Sequence, residues 1–151
     1  MVDLKPIIED NKKERERLLA FLAGLKEQDF RRRLPNGWSV AVGLAHIAFW
    51  DFYQTTALQR WHLNGQQPIA MDAVNVNEPL SLLSEAIPSA TVTHFTKAAA
   101  EMADKEVEKL TQVQADEFLK SGKERSLHRA QHRREHMDKI IKFLESVKAK
   151  G

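Results

Sequence analysis

Ser39-Val40-Ala41-Val42-Gly43-Leu44-Ala45-His46-Ile47-Ala48-Phe49-Trp50 is the most apolar run of the chain. Ser39 suits a helix N-cap, because its side-chain oxygen can accept from a backbone N–H that the first turn leaves unpaired. From there the spacing predicts a helix over 39–63, closed by Asn64 and Gly65. Its first half carries Val40, Val42, Leu44, Ile47, Phe49 and Trp50 on nearly every side. A helix apolar all round is normally buried among neighbours. This one therefore belongs inside a helical assembly. The run 40–50 is too short to span a bilayer, and it contains a histidine.

The flanking sequence supplies the neighbours. A helix is predicted over 6–25, with Pro6 in its first turn and Leu18, Leu22 and Leu25 in a stripe. The stretch 28–37 breaks it, and Pro35-Asn36-Gly37 reads as a turn. Residues 66–79 read as a long connection, followed by a short helical turn over 80–86. Pro88 and Ser89 open a third helix to residue 110, in which Val92, Phe95, Ala99, Met102, Val107 and Leu110 keep helical spacing. Ser121 and Gly122 mark the next break. A fourth helix is predicted over 124–148, with Ile140, Phe143 and Val147 as its apolar stripe. No long stretch alternates as a strand would. The expectation is an all-α four-helix bundle forming one domain over 1–151.

Composition narrows the function. At 151 residues, folding should remove roughly two-thirds of the unfolded surface, enough for a core. The 23 basic and 21 acidic side chains nearly cancel, which gives no reason to expect a nucleic-acid or membrane partner. The short basic runs Arg31-Arg32-Arg33 and Arg133-Arg134 read as solvated faces. Cysteine is absent, so thiolate metal sites, disulfides and cysteine nucleophiles are excluded, and any thiol chemistry must bring its thiol from outside. Residues 1–11 carry acids and a proline with no apolar targeting core, so a soluble cytoplasmic protein is expected.

Six histidines remain. His128, His132 and His136 recur every four residues on the fourth helix, so they share a face that continues into Ile140. Two inward histidines four apart can present ring nitrogens to one metal ion. A third ligand should come from a facing helix, and His46, inside the apolar run, is the best placed. Alone, His46 reads more often as a hydrogen-bonded core histidine; the His132/His136 pair is what brings the ligand reading level. His128 is a further candidate near the start of its helix. His62 and His94 lie on polar stretches and read as surface residues.

Leu34-Pro35-Asn36-Gly37-Trp38-Ser39-Val40, followed by Leu44-Ala45-His46-Ile47-Ala48-Phe49-Trp50, resembles the signature of the DinB/YfiT-like superfamily, a "GWS" turn and then a "LAHLAxW" helix. His132-Arg133-Arg134-Glu135-His136-Met137-Asp138-Lys139-Ile140 resembles that family's closing His-x-x-x-His helix, and Met71-Asp72-Ala73-Val74-Asn75 its middle segment. The resemblance implies an up-down-down-up four-helix bundle. It also implies a divalent metal held by His46, His132 and His136, and a homodimer. Some family members look like metal-dependent transferases or isomerases that use low-molecular-weight thiols, so a small-molecule substrate and such a thiol are the implied partners.

Three neutral imidazoles leave coordination positions open, the pattern of a catalytic rather than a closed site. Zinc, nickel, copper and ferrous iron all suit histidine. Thiol-dependent transfer is the first expectation; metal-dependent hydrolysis or metal binding without turnover are the alternatives. His132-Arg133-Arg134-Glu135-His136 also matches the H-x-x-E-H peptidase pattern, a short motif that arises easily by chance. Glu135, Asp51, Asp72, Asn75, Tyr53 and Trp38 are the polar and aromatic residues within sequence reach of the site. Each has a plainer role as a capping, solvated or packing residue. Since ligands must be deprotonated, metal affinity is expected to fall below pH ~6.5, the ordinary imidazole value.

Overall fold

In the computed structural model, which describes residues 1–67 and 69–151, the secondary structure is helical, with one isolated antiparallel bridge between Arg33 and Ser39. The helices are α1 (Lys5–Gly24), α2 (Glu27–Phe30), α3 (Val40–Asn64), α4 (Ala73–Ser84), α5 (Ser89–Glu108), α6 (Gln112–Lys120), α7 (Glu124–Leu127) and α8 (Arg129–Lys150). The chain is therefore all-α, as expected, with shorter helices interspersed among the four long ones.

The central helix is set locally. Ser39 Oγ accepts from the Val42 N–H at 3.1 Å, and Gly65, with φ 67°, closes the far end by donating its N–H to the Trp61 carbonyl at 2.9 Å. Before it, the Gly37 N–H donates to the Leu34 carbonyl at 2.9 Å and the Trp38 N–H to Asn36 Oδ1 at 3.0 Å, which makes the expected turn. Ser39→Ala should lower stability by about 1 kcal/mol, read as a shifted urea midpoint with unchanged slope.

Three boundaries differ from the spacing. α4 begins inside the connection over 66–79 and runs on through most of the turn expected over 80–86; it is started by Asp72, whose carboxylate accepts from the Asn75 N–H at 3.3 Å. Pro79 lies inside that helix, and only Ser84 of α4 is buried, so no apolar stripe announces it. Pro68, in the same connection, lies outside the described residues. The stretch 111–120, without an assigned element, forms α6 through a Thr111–Gln114 capping box. The fourth helix does not run unbroken from 124. His128 leaves helical geometry at φ −88° and ψ 71°, ending α7 before α8 begins.

The core comes in two parts. Leu18, Leu22, Val40, Leu44, Ile47, Val92, Ala100, Met137, Ile140 and Leu144 bring α1, α3, α5 and α8 together. Leu58, Trp61, Val107 and Phe118 belong to the second cluster, which α6 helps to close. Along every long helix a buried polar residue falls between the two: Asn11 and Glu14, Asp51, Asp104, and Arg133. Arg133 is wholly buried; its Nε donates to Asp51 Oδ2 at 2.8 Å and its Nη2 to Asp104 Oδ1 at 2.8 Å. Arg129 Nε donates to the other Asp51 oxygen at 2.8 Å. Burial opposes the Arg133 charge, but the two carboxylates outweigh it and raise its pKa. Arg129, Arg133, Asp51 and Asp104 thus each have a bonded counter-charge, which a buried ion needs.

No described helix is long and apolar enough to cross a membrane.

Candidate metal centre

α3 carries His46 into the bundle, and α8 presents His132 and His136 from successive turns of one face. The ligating atoms that the three rings offer lie within 4.8 Å of one another. His46 Nε2 and His136 Nε2 are 3.1 Å apart. With metal–nitrogen bonds of about 2.0–2.1 Å, the edge of a tetrahedron is roughly 3.3–3.4 Å, so this pair is already close to ligand spacing. Ring centroids of His132 lie 5.2 Å from His46 and 4.6 Å from His136. His46 is buried, whereas the other two rings are half-buried and reach the surface recess beside them.

The electrostatics suit a ligand set. Burial pushes the His46 pKa down to about 4, helped by His136 beside it. Burial and then the Arg129 guanidinium push His132 down to about 2. Burial lowers His136 as well, with Glu135 partly opposing. All three rings are neutral at pH 7, the form that binds metal. His46 Nδ1 is buried without a hydrogen-bond partner, a cost that native interiors rarely carry away from functional sites. The donor number, spacing and protonation therefore fit a divalent ion. Arg129 Nη2 donates to His132 Nδ1 at 3.3 Å, so the ring hydrogen sits on Nε2; for Nε2 to serve as a ligand that proton would move to Nδ1 and the Arg129 hydrogen bond would give way.

These shifts move the pH expectation. Protons compete for His46 near pH 4 rather than at the ordinary ~6.5, so metal affinity should hold to lower pH than the sequence implies. The metal-free protein behaves in the opposite sense. Its folded state keeps the rings neutral, while the unfolded chain binds protons below ~6.5. Stability is then full above that value and is lost as pH falls towards the folded value of about 4 for His46. Asp10 and Asp116, both lowered, add their losses only in the carboxylate range below. Urea midpoints at pH 7.5, 5.5 and 4.5 should decline, and less so in His132→Phe. Equal decline in that variant would contradict the assignment.

The recess against the histidines has a volume of about 530 Å³. Trp38, Trp50 and Tyr53 form an aromatic side; the Trp38 ring centroid lies 5.2 Å from that of His46. Asn77, from α4, reaches the same recess and accepts from Trp50 Nε1 at 2.9 Å. The spacing of the sequence identifies neither Asn77 nor the Arg129 contact; the "GWS" turn was the signal available for Trp38.

Other candidates go elsewhere. His128 stands outside α8 and its Nε2 lies 2.6 Å from Asp10 Oδ2, so the three-histidine row on one helix is corrected: the break in the backbone turns His128 towards α1. Asp51 touches no ligand histidine directly; it holds Arg129, which holds His132. Glu135 lines the recess with its carboxylate against Arg125 at 2.9 Å and Lys139 at 3.8 Å. Tyr53 donates to the Ile69 carbonyl at 2.8 Å. Asp72 and Asn75 bond to each other at the exposed start of α4. His94 is exposed, and His62 is half-buried with Nε2 3.7 Å from Glu106.

Neither the curated proteins nor the solved structures gave a match to this chain. A family model did: the DinB superfamily model matches residues 11–149, a span that takes in the "GWS" turn, α3 and the paired histidines of α8. With nearly the whole chain inside that match, the protein belongs to the DinB superfamily.

Proposed function

We propose that this protein is a divalent-metal-dependent transferase acting with a low-molecular-weight thiol. The observation that carries the reading is the convergence of three neutral imidazoles at an open, cation-lined recess. A zinc, nickel or ferrous ion held by His46, His132 and His136 would supply Lewis acidity that keeps an added thiol deprotonated at neutral pH. The protein's own contribution is positional. Asp51 fixes Arg129 beside His132 at the floor of the recess, and α4 lays Asn77 over it. Arg125 and Lys139 add positive potential where an anionic sulfur would arrive.

Glu135 favours transfer over hydrolysis. It is the single carboxylate among the described residues lining the recess, and it is paired with two cations. Those two cations occupy its carboxylate oxygens, so Glu135 is held away from the role of a base aimed at a metal-bound water. Thiol transfer needs no such base, because the thiol is already ionised. The third member of the cluster is His46 rather than a carboxylate, which also separates the site from the H-x-x-E-H peptidase pattern.

The bundle supporting this reading is formed by α1, α3, α5 and α8 in up-down-down-up order. Asn11 meets Ala130 and Glu14 meets Arg134, as expected for α1 and α8 running the same way. Gly43 lies by Ile140 and Asp51 by Arg133, as expected for antiparallel α3 and α8. The same proposal takes the working form as a cytoplasmic homodimer, with Val74, Leu82 and Leu83 of α4 exposed to meet a second copy.

The experiment is a panel of small thiols offered with an electrophile to metal-loaded protein. Conjugation that needs both metal and thiol, and is lost in His136→Ala, is expected. Ester or amide cleavage without thiol would instead favour the hydrolase.

A further inference from the structure

A second recess opens beside the first. It has a volume of about 460 Å³ and is walled by Leu34, Pro35, Gly43, Ile140 and Phe143. Asn36, Trp38, His136 and Lys139 line both recesses, so His136 stands at their junction. Gly43 shapes the apolar wall. A Cβ there would lie 3.2 Å from Ile140 Cδ1 and 3.4 Å from Leu34 Cδ1, so its absence lets both side chains settle inward. The two chambers differ in character. Arg125 and Lys139 face the histidine recess against one lining carboxylate, Glu135, with Arg129 paired to Asp51 behind them, whereas the second recess is mainly hydrocarbon with Lys142 and Ser146 at its edge.

We infer that the site takes an amphiphilic small-molecule anion, its charged head against the histidine recess and an apolar body of several carbons along the groove beyond His136. This rests on the metal-site reading above and adds to it the class of molecule. Charge complementarity sets the head: Arg125 and Lys139, two cations against the one lining carboxylate, favour an anion beside the histidines. The walls set the body, since ligand pockets of this size are typically apolar with a few polar groups fixing orientation. Trp38 and Lys139, shared by the chambers, would lie along the joint of such a ligand. Lys139 has an aliphatic stem suited to the groove and a charged end suited to the head.

Straight-chain carboxylates from acetate to octanoate, titrated calorimetrically into zinc-loaded protein, test this. Each methylene buried in the groove should tighten binding about three- to fourfold, so octanoate should exceed butyrate by at least about tenfold. Hexanoate should exceed hexanol by a similar factor. Ser146→Trp, at an exposed edge of the groove, should abolish the chain-length gain and leave acetate binding and zinc content unchanged. Affinity independent of chain length, a gain that survives Ser146→Trp, or equal binding of the alcohol would each overturn the inference. Zinc content, measured on the same samples, separates the two readings. Protein without zinc that still shows the gain, lost in Ser146→Trp, would remove the metal-site reading and keep the groove. Zinc-loaded protein with no gain would do the reverse.

Discussion

His46→Ala, His132→Ala and His136→Ala are each expected to lose divalent metal while remaining helical. Losing a partner that only orients a ligand typically costs 10–100-fold in metal affinity, and losing a ligand itself should cost at least about that much. The three rings offer atoms within 4.8 Å of one another, so each removal leaves two donors, too few for a tight site. Folding should survive in His132→Ala and His136→Ala because both rings are half-buried at a recess rather than packed in the core. His128→Ala is the control. His128 pairs with Asp10 and stands outside the cluster, so its loss should leave metal content unchanged. Elemental analysis beside far-ultraviolet circular dichroism reads both quantities. Metal retained at wild-type level in His132→Ala would contradict the assignment.

The second large effect is on stability. Arg133→Met should lower unfolding free energy by about 3 kcal/mol, because it removes the cation that Asp51 and Asp104 share and leaves Asp51 with Arg129 alone and Asp104 with Arg15 alone. Arg134, the next residue, is the contrast. Its pairs with Asp10 and Glu14 lie at a side chain 38 % exposed, so Arg134→Ala should cost no more than about 1 kcal/mol. Urea denaturation of the two variants, at one pH and with metal removed, gives the comparison. Similar losses in both would mean that the polar layer is better hydrated than its geometry indicates.

The contrast between these neighbours also shows what the sequence makes legible. Arg133-Arg134 reads as a solvated basic pair, yet one side chain is wholly buried and the other lies at the surface. Periodicity tells which face of a helix turns inward, but not that an inward face carries a charge. That depends on Asp51 and Asp104 arriving from other helices. The apolar run 40–50, its Ser39 cap and its Gly65 stop were legible because they are local: a side-chain bond to Val42 and a left-handed glycine. The His132/His136 pair was legible for the same reason, being one turn of helix. Extending that row to His128 failed because a helix break is a backbone event that spacing does not register. The first part of α4, before the expected turn over 80–86, stayed hidden because its exposed residues leave no stripe and Pro79 argues against a helix interior. Asn77, carried by that helix, was hidden with it. Trp38 was visible as part of a motif, but its 5.2 Å approach to His46 required the turn to be folded back on α3.

X-ray absorption at the zinc edge of zinc-loaded wild-type protein tests the metal centre most directly. The account predicts one zinc per chain with three imidazole nitrogens at about 2.0–2.1 Å and further light-atom ligands completing the shell. A protein that takes up no zinc, or a shell without imidazole scattering, would contradict it.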